Sequence, residues 1–302
     1  VARILAELQQ AQASAERIIS LIETKPEIYD TEEVIAKYGT ILNPKFENFE
    51  PLEGDVEFEN VTFSYNDKEI ILENFNLKVK KGTSVALVGA TGSGKSTIVN
   101  LICRFYEPTK GRILIDGKDY KERSITWLHH NLGYVLQTPH LFNGTILENI
   151  RYGRLDATDE EVIAAAKLAH VDDFVKNLPD GYNTIVGEGG SKLSVGERQL
   201  ISFARALVAN PKILVLDEAT SSIDTKTEEI IQDVIKKILK GRTSFIIAHR
   251  LSTIINADLI LVIKDGKILE SGTHQELLDK RGEYFNLYKN QFINEKIMES
   301  AK

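Results

Sequence analysis

Cysteine is nearly missing from this sequence: Cys103 is the only one among 302 residues, and Met and Trp also occur once each. A single thiol excludes an intrachain disulfide, and no Cys/His ligand spacing is present to support a structural metal. A reducing compartment is the expectation. Long apolar runs are missing too. The longest candidates, such as Ala257 to Ile263, are strand-sized and fall short of the roughly 18 residues a membrane-crossing helix requires. No charged and apolar leader opens the chain, which begins at Val1 directly in helical periodicity, so it reads as a soluble fragment of something longer. Basic charge is in deficit, with 37 Lys and Arg against 44 Asp and Glu, a net −7. A duplex nucleic-acid partner would need a local basic patch working against that sign and is not expected. What remains is a chain 42% hydrophobic and 27% charged, long enough for about two compact units with a full core, which excludes a disordered tail.

Ile4, Leu5, Leu8, Ala11, Ala15, Ile18, Ile19 and Ile22 share one helical face, and the pattern stops ahead of Pro26. Residues 26–54 are polar, carry Pro26, Pro44 and Pro51 and lack sustained periodicity, so they read as a linker. A compact domain is expected over 55–302. Val56 and Phe58, then Val61, Phe63 and Tyr65, then Phe75, Leu77 and Val79 alternate as half-buried strands of a small antiparallel sheet. Ser84 to Val88, Ile213 to Leu216, Thr243 to Ala248 and Leu259 to Ile263 are short apolar runs with helical patterns between most of them. Such runs suit a parallel sheet covered on both faces. Between about 140 and 208 the alternation breaks into helices, two of them announced by Ser/Thr-x-x-Glu boxes at Thr158–Glu161 and Ser194–Glu197. This reads as a helical insertion. Glu276 to Ile297 is read as helix again.

Gly89-Ala90-Thr91-Gly92-Ser93-Gly94-Lys95-Ser96-Thr97 fits G-x-x-x-x-G-K-[ST], after a buried strand and at the start of a helix expected to run to about Glu107. Glycines let successive N–H groups turn toward phosphates, the helix start adds positive potential, Lys95 reaches the β and γ oxygens, and Ser96 is a ligand for Mg²⁺. Ile213 to Leu216 ends in Asp217-Glu218. Asp217 can hold Mg²⁺ through water, and Glu218 can orient or deprotonate an attacking water. Alone, that pair is an ordinary strand-ending acid; beside the glycine-rich loop it completes a nucleotide site. Gln137 and His249 each follow an apolar run, which puts them at the carboxyl edge of the sheet, where such folds bind ligands. Leu193-Ser194-Val195-Gly196-Glu197 is by itself a helix cap, and a free helix N-terminus with Ser and Gly is also an anion site. An insertion is not expected to fold back on its own loop, so a phosphate held there would belong to another subunit.

Together these motifs resemble the nucleotide-binding domain of an ABC transporter, specifically an exporter-type half, over about Val56 to Glu283. The resemblance implies an α/β fold: a P-loop NTPase (RecA-like) core with an antiparallel β subdomain and an inserted α-helical subdomain. It implies ATP and Mg²⁺ as ligands, Gly89 to Thr97 as Walker A, Gln137 as the Q-loop glutamine and Ser194, Gly196 and Glu197 as signature contacts. It makes Asp217 the Walker B aspartate, with Ser96 and Gln137 the other Mg²⁺ ligands. Glu218 becomes the catalytic base, His249 the switch histidine, Ser222-Ile223-Asp224 the D-loop and Tyr65 the aromatic that stacks on adenine. Thr184 to Gly190 resembles the exporter X-loop, which touches coupling helices. Gln12 to Ile18 resembles the end of the last transmembrane helix, so residues 1–25 are expected to continue from a membrane domain absent here. Such an ATPase would sit at the cytoplasmic face of the inner membrane.

One departure matters. The family's signature is usually Leu-Ser-Gly-Gly-Gln, and Val195 and Glu197 replace its first Gly and its Gln. A β-branched side chain and a carboxylate both weaken a phosphate surface. The damage lies on the face given away, which points to one half of a heterodimer; a homodimer with a tolerant signature and a regulatory half with little turnover stay open.

Overall fold

A computed structural model describes residues 2–66, 69–217, 225–248 and 250–290. Helix α1 (Ala2–Glu23) buries none of its residues. Ile4, Leu5, Leu8, Ile18, Ile19 and Ile22 are all exposed. The stretch expected as a linker carries α2 (Glu32–Tyr38), the short strands β1 (Gly39–Thr40) and β2 (Asn43–Pro44), and a 3-10 turn at Phe46–Asn48. Val34, Tyr38 and Leu52 of this stretch are buried in the same cluster as the sheet residues.

The small sheet has the order β4-β3-β6-β7, from β3 (Val56–Phe63), β4 (Leu72–Val79), β6 (Lys110–Ile115) and β7 (Lys118–Asp119). All its pairings are antiparallel. The segments expected as two strands over 56–65 are one strand with register shifts between Phe58 and Phe63. The large sheet has the order β12-β11-β5-β10-β9-β8. Its strands are β5 (Ser84–Val88), β8 (Leu132–Val135), β9 (Ile213–Asp217), β10 (Thr243–Ile247), β11 (Leu259–Lys264) and β12 (Lys267–Gly272). The pairing is parallel except at the β11–β12 edge.

Successive strand residues face opposite sides. Ala86, Val88, Leu214, Leu216, Ile246 and Val262 belong to one core, with the helical insertion. Val85, Leu87, Val215, Phe245 and Leu261 belong to the other, with the antiparallel sheet and α3 (Lys95–Ile102). Both faces are covered, so these strands read as unbroken apolar runs.

After α4 (Ile125–His130), which precedes β8, the insertion contains α5 (Ile146–Arg151), α6 (Asp159–Leu168), α7 (Val171–Val175) and α8 (Val195–Ala209). Both expected capping boxes form, at Thr158–Glu161 and Ser194–Glu197. The remaining helices are α9 (Thr225–Leu239), α10 (Leu251–Ile255) and α11 (His274–Lys280). Two boundaries differ from expectation. α3 stops at Ile102 rather than Glu107, because Arg104 turns into the left-handed region at φ 54°. The final helical stretch breaks after α11, where Arg281 has φ 52°, and resumes over 283–290.

Candidate functional site

The loop leaves β5 through Gly89, whose φ is 151° and whose added Cβ would lie 2.2 Å from the Ile263 carbonyl oxygen. No other residue fits between β5 and β11 there. Gly92 and Gly94 also hold positive φ, 81° and 107°, which turns the chain tightly into α3. The turn is closed by Ser93 N–H donating to Ala90 O at 3.2 Å, and held from outside by Gly266 N–H donating to Ser93 O at 3.0 Å. α3 has no side-chain cap and no acid in its first turn, so its start is electropositive and uncovered.

Lys95 folds back over this loop, its Nζ donating to Gly89 O and Ala90 O at 2.8 Å each. Burial lowers its pKa from the ordinary value, and the charge of Asp217 opposes that shift. Ser93 Oγ is buried with no hydrogen-bond partner, a polar atom placed in the loop without a protein group to satisfy it. Ser96 is exposed beside it. A cradle of positive-φ glycines, an unsatisfied hydroxyl and a buried lysine fits a polyphosphate. Gly89, Ser93, Ile263, Asp265, Glu283 and Leu287 are among the residues lining a cavity of about 200 Å³ next to the loop. That is less than the roughly 300 Å³ at which ligand pockets begin, so this hollow does not enclose a nucleotide.

Strand order brings the other candidates to the same edge. β10 lies between β5 and β9, with Ile247 opposite both Leu87 and Asp217. β8 flanks β9 with Val135 opposite Leu216, and Gln137 is an exposed bend two residues beyond Val135. The hydroxyl of Tyr134 on β8 is pushed up to about 12 by burial first and by the Asp217 charge second. No cluster of three or more His, Cys, Asp or Glu able to hold a metal occurs among the described residues. A hydroxyl, an amide and one carboxylate are a donor set that suits Mg²⁺, which keeps phosphate and water oxygens as its remaining ligands. Glu218, Ser222 to Asp224 and His249 lie outside the described residues.

Tyr65 shares a 3.1 Å hydrogen bond with Thr97 Oγ1 and accepts one from Asn100 Nδ2 at 3.4 Å. Its half-exposed ring is therefore fixed beside α3. It packs edge-on against Phe63 and Tyr106, with centroids at 4.9 and 4.8 Å. Tyr106 escaped the sequence reading; its only signal was a second aromatic just past the phosphate-loop helix.

Ser194, Gly196 and Glu197 sit on the helical layer, where α8 packs on α5, α6 and α9. Ser194 Oγ accepts from Glu197 N–H at 3.2 Å, and the Glu197 carboxylate accepts from Ser194 N–H at 2.7 Å. Among the described residues no hydrogen bond or ion pair joins this turn to the phosphate loop. The segment 184–190 is tied to the start of α5 by Ile146 N–H to Thr184 O at 3.1 Å and Val186 N–H to Gly144 O at 3.0 Å. Ile185 stays exposed.

Residues 72–221 match the family described as ABC transporter. The ATP-dependent lipid A-core flippase of Syntrophus aciditrophicus (strain SB) is 46% identical over 294 residues, 97% of this chain and 47% of the flippase. The chain is an ABC transporter nucleotide-binding domain. The fatty acid ABC transporter ATP-binding/permease protein of Mycobacterium tuberculosis (strain CDC 1551 / Oshkosh) is 48% identical over 280 residues, 93% of the domain and 42% of that protein. A bacterial Atm1-family ABC exporter solved with ATP bound superposes with a TM-score of 0.82 at 43% identity, covering 94% of the domain and 48% of that exporter. The domain is thus homologous to those of ABC exporters, and ABC transporter ATP-binding domains are ATPases. It spans about half the length of these relatives. No helix among the described residues is long and apolar enough to cross a membrane.

Proposed function

We propose that this domain powers export across a membrane by closing head to tail with a second ABC nucleotide-binding domain around ATP. The supporting observation is the division of the site: the phosphate loop and Asp217 share one sheet edge, while the signature turn belongs to a separate helical layer. A triphosphate gripped by this loop takes its remaining contacts from another protomer's signature.

In that closed state Tyr65 stacks on adenine, held upright by Thr97 and Asn100. The N–H groups of Gly92 to Thr97 and the Lys95 ammonium take the phosphates. Ser96, Gln137 and Asp217 would hold Mg²⁺, which when bound would neutralise phosphate charge. Glu218 orients water in line with the γ phosphorus and receives its proton as the bond to the bridging oxygen breaks, leaving ADP and inorganic phosphate. His249 contacts the γ-phosphate and responds to its loss. Placement and charge neutralisation are what phosphoryl transfer requires of a protein. Once the anion bridging the protomers is gone, the dimer reopens.

The partner reading is a heterodimer. Glu197 occupies the N–H of its own helix cap with a carboxylate, and Val195 is 38% exposed at the surface that a phosphate would approach. A face so built repels the partner's ATP more than the glycine and glutamine of the usual signature. The partner's intact signature would complete this chain's own site. The remaining partners are this chain's own transmembrane domain, continuous with α1, and coupling helices meeting 184–190 at the cytoplasmic face of the inner membrane.

Glu218→Gln in the full transporter with its partner tests the assignment. Loss of steady-state phosphate release, with ATP retained and the two domains closed, is expected. Steady-state hydrolysis at the wild-type rate would overturn it.

A further inference from the structure

Two buried arginines fasten the segment following α1 to the ATPase core. Arg104, immediately past the end of α3, has a side chain only 2% exposed. It donates through Nη1 to Asp30 Oδ1 at 3.1 Å and to Arg123 O at 3.0 Å, through Nη2 to Tyr29 O at 3.3 Å, and through Nε to Glu107 Oε1 at 2.8 Å. The Asp30 carboxylate, 9% exposed, has a second role: both of its oxygens accept from Ile125 N–H, at 3.1 Å each, at the first residue of α4. At the far end of the segment, Glu50 repeats the pattern. Its carboxylate accepts from Arg123 Nε at 3.2 Å, and its carbonyl accepts from Trp127 Nε1 in α4 at 2.7 Å.

Asp30 therefore joins three pieces of chain. One is the segment leaving α1; the second is the end of α3, whose start carries the phosphate loop; the third is α4, which leads through β8 to Gln137. Releasing Asp30 would leave Arg104 with Glu107 as its remaining carboxylate, and would strip a buried guanidinium N–H and the Ile125 N–H of their acceptor. The contacts are directional and accept little sliding. Movement that reaches Tyr29 and Asp30 from α1 is passed on through such a joint rather than absorbed there.

We propose that residues 29–50 are a rigid strap belonging to the ATPase domain, and that Asp30 is the positioning residue linking α1 to both the phosphate-loop helix and the Gln137 strand. The proposal rests on the transporter reading above, and adds a direct route along the chain between the membrane side and the nucleotide site.

The test uses the full transporter with its partner in lipid vesicles, with hydrolysis blocked by Glu218→Gln. Cys103 is the only cysteine of these 302 residues and is buried, so with any cysteine of the membrane domain and partner replaced, introduced cysteines can be labelled selectively. Spin-label distances to the partner are measured from Ser20→Cys on α1 and, separately, from Lys192→Cys near the signature, with and without Mg-ATP. In the parent protein both distances should change with nucleotide. With Asp30→Ala the Lys192 distance should still change, while the α1 response shrinks about twofold or more. If Asp30→Ala does not fold, Asp30→Asn, which keeps an acceptor for Ile125 N–H but removes the charge facing Arg104, gives the same reading. Equal responses at both sites in the variant that folds would overturn the strap. A parent protein in which neither distance responds would overturn the transporter reading and the strap with it, whereas failure of the strap alone leaves the parent responses intact.

Discussion

α3 and α8 both begin beside glycines, yet they treat an approaching anion in opposite ways. α3 is capped by Gly94 at φ 107°, has no side-chain acceptor at its start, and brings Lys95 back over the loop. α8 is capped by Ser194, and Glu197 closes the box by taking the Ser194 N–H on its own carboxylate. One terminus is left for a ligand; the other is already satisfied by its own side chains and carries a negative charge. The same backbone dipole is thus left open to an anion in the first case and is answered by a side-chain cap in the second.

The largest effect should come from removing the lysine that sets the two termini apart. Lys95→Ala is expected to lower ATP hydrolysis about 100-fold or more in a phosphate-release assay, with the fold retained by circular dichroism. Gly89→Ala comes next, since its Cβ would meet Ile263 O; a loss of about 2 kcal/mol in urea unfolding is expected. Gly82→Ala is its control, with positive φ but nothing within 4 Å, and should lose only about 1 kcal/mol. At the other terminus Ser194→Ala should lower stability by about 1 kcal/mol without touching the chain's own nucleotide affinity. Thr273→Ala, which breaks the same kind of box in α11, should match it.

Glu197→Gln is the sharper probe of charge. It keeps the cap acceptor and removes the carboxylate, so ATP held by the partner's loop should bind several-fold tighter in the full transporter, a few tenths to about 1 kcal/mol. Unchanged affinity would erase the contrast between the two termini. The smallest effect concerns acid. Burial holds His274 at the start of α11 below its ordinary 6.5, beside the Tyr284 hydroxyl at 2.7 Å. The unfolded chain then takes up the proton first, and stability declines as pH falls from 6.5 toward the lower folded value. His274→Gln should flatten the pH dependence of thermal unfolding below pH 6.5 while leaving nucleotide affinity in place.

How much was legible depended on how local the cause was. The phosphate loop was readable because its glycines, lysine and flanking strand are consecutive, and the two expected capping boxes each lie within four residues. The parallel strands were readable as apolar runs because both faces are buried. α2 was not, because seven residues give too few turns to display a period, and the segment that carries it is anchored on either side of the helix, at Asp30 by Arg104 and at Glu50 by Arg123, far along the chain. The end of α3 was missed for a related reason: Arg104 leaves helical geometry where its side chain meets Asp30 and three distant carbonyls.

By itself the sequence determined the glycine-rich loop, the buried strand runs and the helix caps, since motif spacing, apolar runs and caps are set by neighbours along the chain. Only tertiary structure decided which of them stand together: strand order brought β5, β10, β9 and β8 side by side, leaving α8 on another layer. It also decided that Asp30 and Glu50 are tied to Arg104 and Arg123, because those carboxylates lie more than seventy residues from their guanidiniums and no short-range pattern announces such a pairing.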